Sequence, residues 1–78
     1  MKILSFGIAK EILGGAAVDV PLDSDVSVAM LQTRLAELYP GLRSLSSFMI
    51  AVNGEYAQPG TIINAGDEVA IIPPVSGG

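Results

Sequence analysis

Chemically capable side chains are scarce in this sequence. It has no cysteine and no histidine. Thiol nucleophiles, most zinc, copper and haem ligand sets, and the usual acid–base residue near neutral pH are therefore excluded. The alternative is the ending "AIIPPVSGG". Gly77 and Gly78 offer a terminal carboxylate with no neighbouring side chain, so a channel can close on the backbone without meeting a Cβ. A carboxylate is a poor electrophile and reacts only once activated, for instance by adenylation. The mixed anhydride so formed is open to attack by sulfur or by an amine. No residue here is suited to that activation, so a separate enzyme is implied and no bound cofactor is expected. Pro73 and Pro74 lack an N–H, stop a preceding strand and favour an extended course away from the domain. Residues 73–78 reach roughly 20 Å when fully extended.

Composition narrows the remaining classes. With 78 residues, of which 50% are apolar, the chain makes one small domain. Folding at this size hides only about 60% of the unfolded surface. A net charge of −4, with Lys2, Lys10, Arg34 and Arg43 scattered, argues against nucleic acid, because phosphate binding needs clustered cations. The start "MKILSFGIAK" is broken early by Lys10 and Glu11 and lacks a small-residue cleavage site, so it reads as a first strand rather than a leader. Apolar stretches are too short for a membrane span, and a cytoplasmic setting is expected.

The elements that must position the tail follow from periodicity. Residues 2–9 alternate Leu4, Phe6 and Ile8 against Ile3, Ser5 and Gly7, which predicts a strand. "KEILGG" predicts a turn, and residues 16–22 a second strand in a hairpin with the first. "SVAMLQTRLAELYPG" is the one convincing helix. Val28, Leu31, Leu35 and Leu38 form an apolar stripe, Ser27 caps the start, and Pro40 and Gly41 close the end. Met30 cannot complete a capping box. Residues 48–52 return to strand, Asn53 and Gly54 form a two-residue hairpin turn, and residues 55–57 begin the way back. "QPGTIINAGDE" reads as loop and residues 69–72 as the last strand, placed inside the sheet beside the first. The expected fold is α+β: a β-grasp, as in ubiquitin, with a mixed sheet of four to five strands and one main helix on one face. Residues 1–73 make the domain and residues 74–78 the extended tail.

These residues resemble a known family. "GDEVAIIPPVSGG", residues 66–78, is the most specific match to the MoaD group, the small, ubiquitin-like sulfur-carrying subunit of molybdopterin synthase. "FGIAKEILGG" is similar to that group's first strand and turn, and "AVNGEYA" to its middle hairpin. Lys10 stands where many relatives have arginine, and Ser5 and Gly7 are smaller than usual there. The resemblance implies that an adenylating enzyme of the MoeB type activates Gly78 with ATP and that sulfur delivery converts it to a thiocarboxylate. The tail then enters the large subunit, of the MoaE type, and gives its sulfur to cyclic pyranopterin monophosphate. A hetero-oligomer is implied. Gly78, with Gly77, is the reacting end. Phe6, Tyr56, Ile72, Pro73, Pro74, Val75 and Ser76 match the partner-binding positions, with ordinary core as the alternative for Phe6, Tyr56 and Ile72. Asp67 and Glu68 read as a solvated turn, or as a contact for the activating enzyme.

Three other readings stay open. The same terminal chemistry serves carriers of the thiamin and cysteine type, although thiamin carriers typically lack the "PPV" elbow. A protein modifier joined to lysines through Gly78 is the second, and a β-grasp interaction module whose tail does nothing is the third. Whether the chain counts as an enzyme is open, since it acts only as the sulfur-donating subunit.

Overall fold

In the computed structural model, which describes residues 1–22, 25–45 and 48–73, β1 (Lys2–Ser5) turns directly into α1 (Gly7–Leu13). The alternation of residues 2–9 predicts strand as far as Ala9, so α1 is a correction. Its cause is a second periodicity in the same residues. Ala9 and Leu13, four apart, are both buried, whereas Ile8 is exposed, which is the pattern of a helix lying on a core. "KEILGG" is accordingly a helix end. Gly14 sits at φ 86°, and the N–H groups of Gly14 and Gly15 both donate to the Lys10 carbonyl at 3.0 Å. That bond from Gly15 is the six-to-one closure of a Schellman motif. β2 (Ala17–Asp19) then runs antiparallel to β1, with Leu4 opposite Ala17. The expected pairing is present, but α1 replaces the tight turn. Buried Ser5 ties the connection down. Its Oγ donates to the Gly15 carbonyl at 2.6 Å and its N–H to the Ala16 carbonyl at 2.9 Å.

β3 (Val26–Ser27) leads straight into α2 (Val28–Leu38). Ser27 caps it as expected, accepting the Met30 N–H at 3.1 Å. The Val28 and Ala29 N–H groups, which a helix start leaves without intrahelical partners, donate to the Thr61 and Pro59 carbonyls at 2.9 and 3.0 Å. The loop before the last strands thus completes the cap. Val28, Leu31 and Leu35 are buried, while Leu38 is 41% exposed, so the stripe fades at the last turn. Pro40 and Gly41 end the α-helix and begin a short 3-10 helix (Pro40–Ser44), which delivers Leu42 to the core.

The remaining strands are β4 (Met49–Val52), β5 (Glu55–Tyr56), β6 (Ile62–Ile63) and β7 (Val69–Ile72). Asn53 and Gly54 have φ of 53° and 83°, the positive pair that a two-residue hairpin requires. The sheet order is β2-β1-β7-β4-β5. β7 lies beside β1, parallel to it, and antiparallel to β4, as expected for the last strand. β6 pairs with β3 in a separate two-stranded sheet. In the sequence Val26 has no assignment, Ser27 reads as the cap of the following helix, and Ile62 and Ile63 fall in a loop, because strands of two residues carry no periodic signal. Their pairing is set at long range. The β-grasp arrangement holds, with α2 as the main helix and α1 and the 3-10 turn added to it.

Alternation on the central strands divides the sheet into two faces. Ile3, Ile50, Val69 and Ile71 join Val28, Leu31, Leu35 and Ile63 in one buried cluster. The opposite face carries Leu4, Met49, Ala51, Tyr56, Ala70 and Ile72, none of which faces α2.

Candidate docking face and clasp

The three apolar positions singled out for docking meet on that second face. Phe6 stands in extended geometry just before α1 (φ −135°, ψ 157°) and is 52% exposed. Tyr56, on the edge strand opposite Ala51, is 68% exposed. Ile72, the last residue of β7, is half-buried opposite Met49. Together with Ala51, Ala70 and Glu68 they line one groove of about 340 Å³. None of the three large residues is core. Such a cluster of exposed apolar side chains is the kind of surface that a second protein covers.

The groove adjoins the root of the tail. Pro73 follows Ile72 directly, and its Cγ lies 3.4 Å from where a Cβ on Gly7 would stand. The start of α1 therefore lies against the root of the tail. Pro74, Val75, Ser76, Gly77 and Gly78 lie outside the described residues, and with them the reacting end and the tail assigned to residues 74–78.

A polar clasp holds the rim. The Asn53 N–H donates to the Glu68 carbonyl at 2.7 Å, and the Glu68 N–H donates back to Asn53 Oδ1 at 2.9 Å. Asn53 Nδ2 donates to Asp67 Oδ1 at 3.1 Å, and Asp67 Oδ2 accepts the Asn64 N–H at 2.8 Å. The Asn64 backbone donor first, and the Asn53 amide second, hold the Asp67 carboxyl below its ordinary pKa, because both bonds favour the charged form. The clasp fixes the β4–β5 turn to the entry of β7. Sequence reasoning saw Asn53 only as a turn former, and Asp67 as part of a solvated turn or a contact for the activating enzyme. Their coupling joins residues 14 apart, which no local pattern reveals. Ala51 and Ala70 also escaped notice, yet counting by twos back from Ile72, and across the hairpin from Tyr56, reaches both.

The arrangement suits recognition. A neutral apolar groove with one carboxylate at its rim can bind a partner surface, and among the described residues no group of acidic side chains is gathered as a metal ligand set. Among them, too, no helix is long and apolar enough to cross a membrane.

Comparison with known proteins agrees with this geometry. A molybdopterin synthase sulfur carrier subunit from Dictyostelium discoideum is 43% identical, over 99% of this chain and 94% of that protein. The human protein of the same description is 30% identical, over 100% of this chain and 93% of its own. The crystal structure of SAMP1 from Haloferax volcanii superposes with a TM-score of 0.78 at 33% identity, covering 100% of this chain and 98% of that one. The resemblance drawn from the ending and the hairpin is thereby borne out. With residues 3–78 matched by the model of the ThiS family, the chain belongs to that family.

Proposed function

We propose that this chain is the sulfur carrier subunit of a molybdopterin synthase, with the Gly78 carboxylate as its carrying group. The observation that supports this most directly is the apolar groove of Phe6, Tyr56 and Ile72 at the root of a prolyl tail. A carrier needs a surface to hold its partner while a probe enters that partner's site. The full-length likeness to sulfur carrier subunits supplies the chemistry.

In the first step a Gly78 oxygen attacks the α-phosphorus of ATP in an adenylating enzyme of the MoeB type, and pyrophosphate leaves. Sulfide then attacks the acyl carbon as HS⁻, AMP departs, and loss of the sulfur's proton leaves a thiocarboxylate. In the large subunit, of the MoaE type, that sulfur bonds to a carbon of cyclic pyranopterin monophosphate as a carbon–oxygen bond of that substrate breaks, and cleavage of the acyl C–S bond by water leaves the sulfur on the substrate. The same cleavage returns Gly78 to the carboxylate. The domain of residues 1–73 holds the partner through Phe6, Tyr56, Ile72 and Pro73. The tail of residues 74–78, with Pro74, Val75, Ser76 and Gly77, threads the channel. The chain binds no cofactor itself, the ATP is spent by its partner, and the whole cycle runs in the cytoplasm.

Mass spectrometry of the intact chain, incubated with the adenylating enzyme, ATP and a sulfur source, tests the reading. One oxygen exchanged for sulfur at Gly78 is the expected product. Persistent absence of that exchange overturns it. A second reading, protein modification through Gly78, is favoured by the likeness to SAMP1, which is described as a small archaeal modifier protein. Isopeptide-linked conjugates on target lysines are its distinguishing product.

A further inference from the structure

The groove is hollow because of two residues that lie directly opposite each other. Across the sheet, Leu4 pairs with Ala70, Ala70 with Ala51, and Ala51 with Tyr56. Directly opposed residues share a face, so the row reads large, small, small, large. Both alanines are 8% exposed, with little of either left uncovered between the taller neighbours Phe6, Tyr56 and Ile72. They face away from α2, so a larger residue would add nothing to the core. The charge is equally uneven. Glu68 is the one acidic or basic residue among those lining the groove. Its backbone is pinned on both sides by Asn53, and among the described residues no cation pairs with its carboxylate.

We propose that Ala51 and Ala70 are specificity-determining residues. They keep open a socket for one bulky apolar side chain of the large synthase subunit, and Glu68 meets a lysine or arginine beside it. This rests on the function proposed above. Three observations select that occupant. The groove shares Ile72 with the root of the tail, so whatever fills it stands where the tail is received. The relatives are named as subunits, and lasting assemblies bury more apolar surface than transient encounters. The rim carboxylate favours a cationic neighbour and disfavours an anionic one.

The size of residue 70 separates socket from scaffold. Ala70→Ser keeps the socket, whereas Ala70→Val fills it with a residue that strands favour. Isothermal calorimetry against the large synthase subunit of the same organism, alongside thermal unfolding of each isolated variant, provides the readings. Affinity of Ala70→Ser is expected within about threefold of the unaltered chain, and that of Ala70→Val about tenfold or more weaker with melting unchanged, as for a blocked hot-spot pocket. Glu68→Lys is expected to slow association, with the penalty shrinking as salt rises. Overturning results are unaltered affinity of a folded Ala70→Val, or equal losses for the Ser and Val variants. Loss of binding to the adenylating enzyme with the large subunit still bound assigns the socket to the wrong partner and also overturns it. Thiocarboxylate formation by the unaltered chain is followed in parallel. If sulfur is loaded while the affinities ignore residue 70, only the socket falls. If sulfur is never loaded, the proposed function falls.

Discussion

Asp67 shows how a turn residue acquires a structural role. Its two carboxylate oxygens accept from different segments, the Asn64 backbone and the Asn53 side chain. Both bonds require the ionised form to be at full strength, which is why the pKa falls in the folded state. A carboxyl with a lowered folded pKa contributes stability above its unfolded value of about 3.9. That contribution erodes as pH drops through this value and is gone below the folded pKa. Acid unfolding followed by circular dichroism should therefore show the unaltered chain losing more stability below about pH 4 than Asp67→Asn does. Parallel pH profiles for the two proteins would mean that the clasp carries no charge-dependent strength. Asn53 itself was legible as a turn former from the Asn-Gly pair alone. Its second role was not, because that role depends on where β7 begins in space.

At the scale of elements, local chemistry was legible and long-range chemistry was not. The Ser27 cap, the stripe of α2, the hairpin at Asn53 and the span of β7 all rest on neighbours within a few residues, and each appears as expected except that Leu38 drops out of the stripe. The proposed docking residues Phe6, Tyr56 and Ile72 were singled out through family likeness, and the fold brings them to one groove. The strands β3 and β6 depend on each other across some 35 residues of chain and had no local signature. α1 failed for a different reason. Its residues satisfy both a period of two and a period near four, and Gly14 decides between them. At φ 86° a Cβ costs about 1–2 kcal/mol. Gly14→Ala is thus expected to lower unfolding stability by about 1 kcal/mol in urea titrations, through loss of the left-handed closure. Gly15→Ala is the control. It has no positive φ, and its Cβ would find only the Ala17 carbonyl oxygen at 3.7 Å, so little change is expected. Equal effects at both positions would remove the special role given to Gly14.

For the whole molecule, the proposed function divides the work between domain and tail, which makes stability and function separable. The core is small, and Leu35 is fully buried at its centre with Leu31, Ile50 and Ile71. Truncating such a leucine removes buried methyl groups and leaves a cavity, at a cost of about 2–5 kcal/mol. That is a large share of the 5–15 kcal/mol that single domains typically possess. Leu35→Ala should therefore unfold at markedly lower urea, or fail to fold, and lose sulfur loading in proportion to the unfolded fraction. Deletion of Gly78 should act in the opposite way. The carrying carboxylate is then displaced onto Gly77, one residue short of the channel's depth, while every contact of the cluster under the sheet remains. The melting curve is expected to overlay that of the intact chain, and thiocarboxylate formation to vanish. Full loading of the shortened chain would show that the adenylating enzyme reads the sheet face alone and tolerates a shorter tail. Each variant measured for both melting and loading thus tells whether its residue serves the scaffold or the probe.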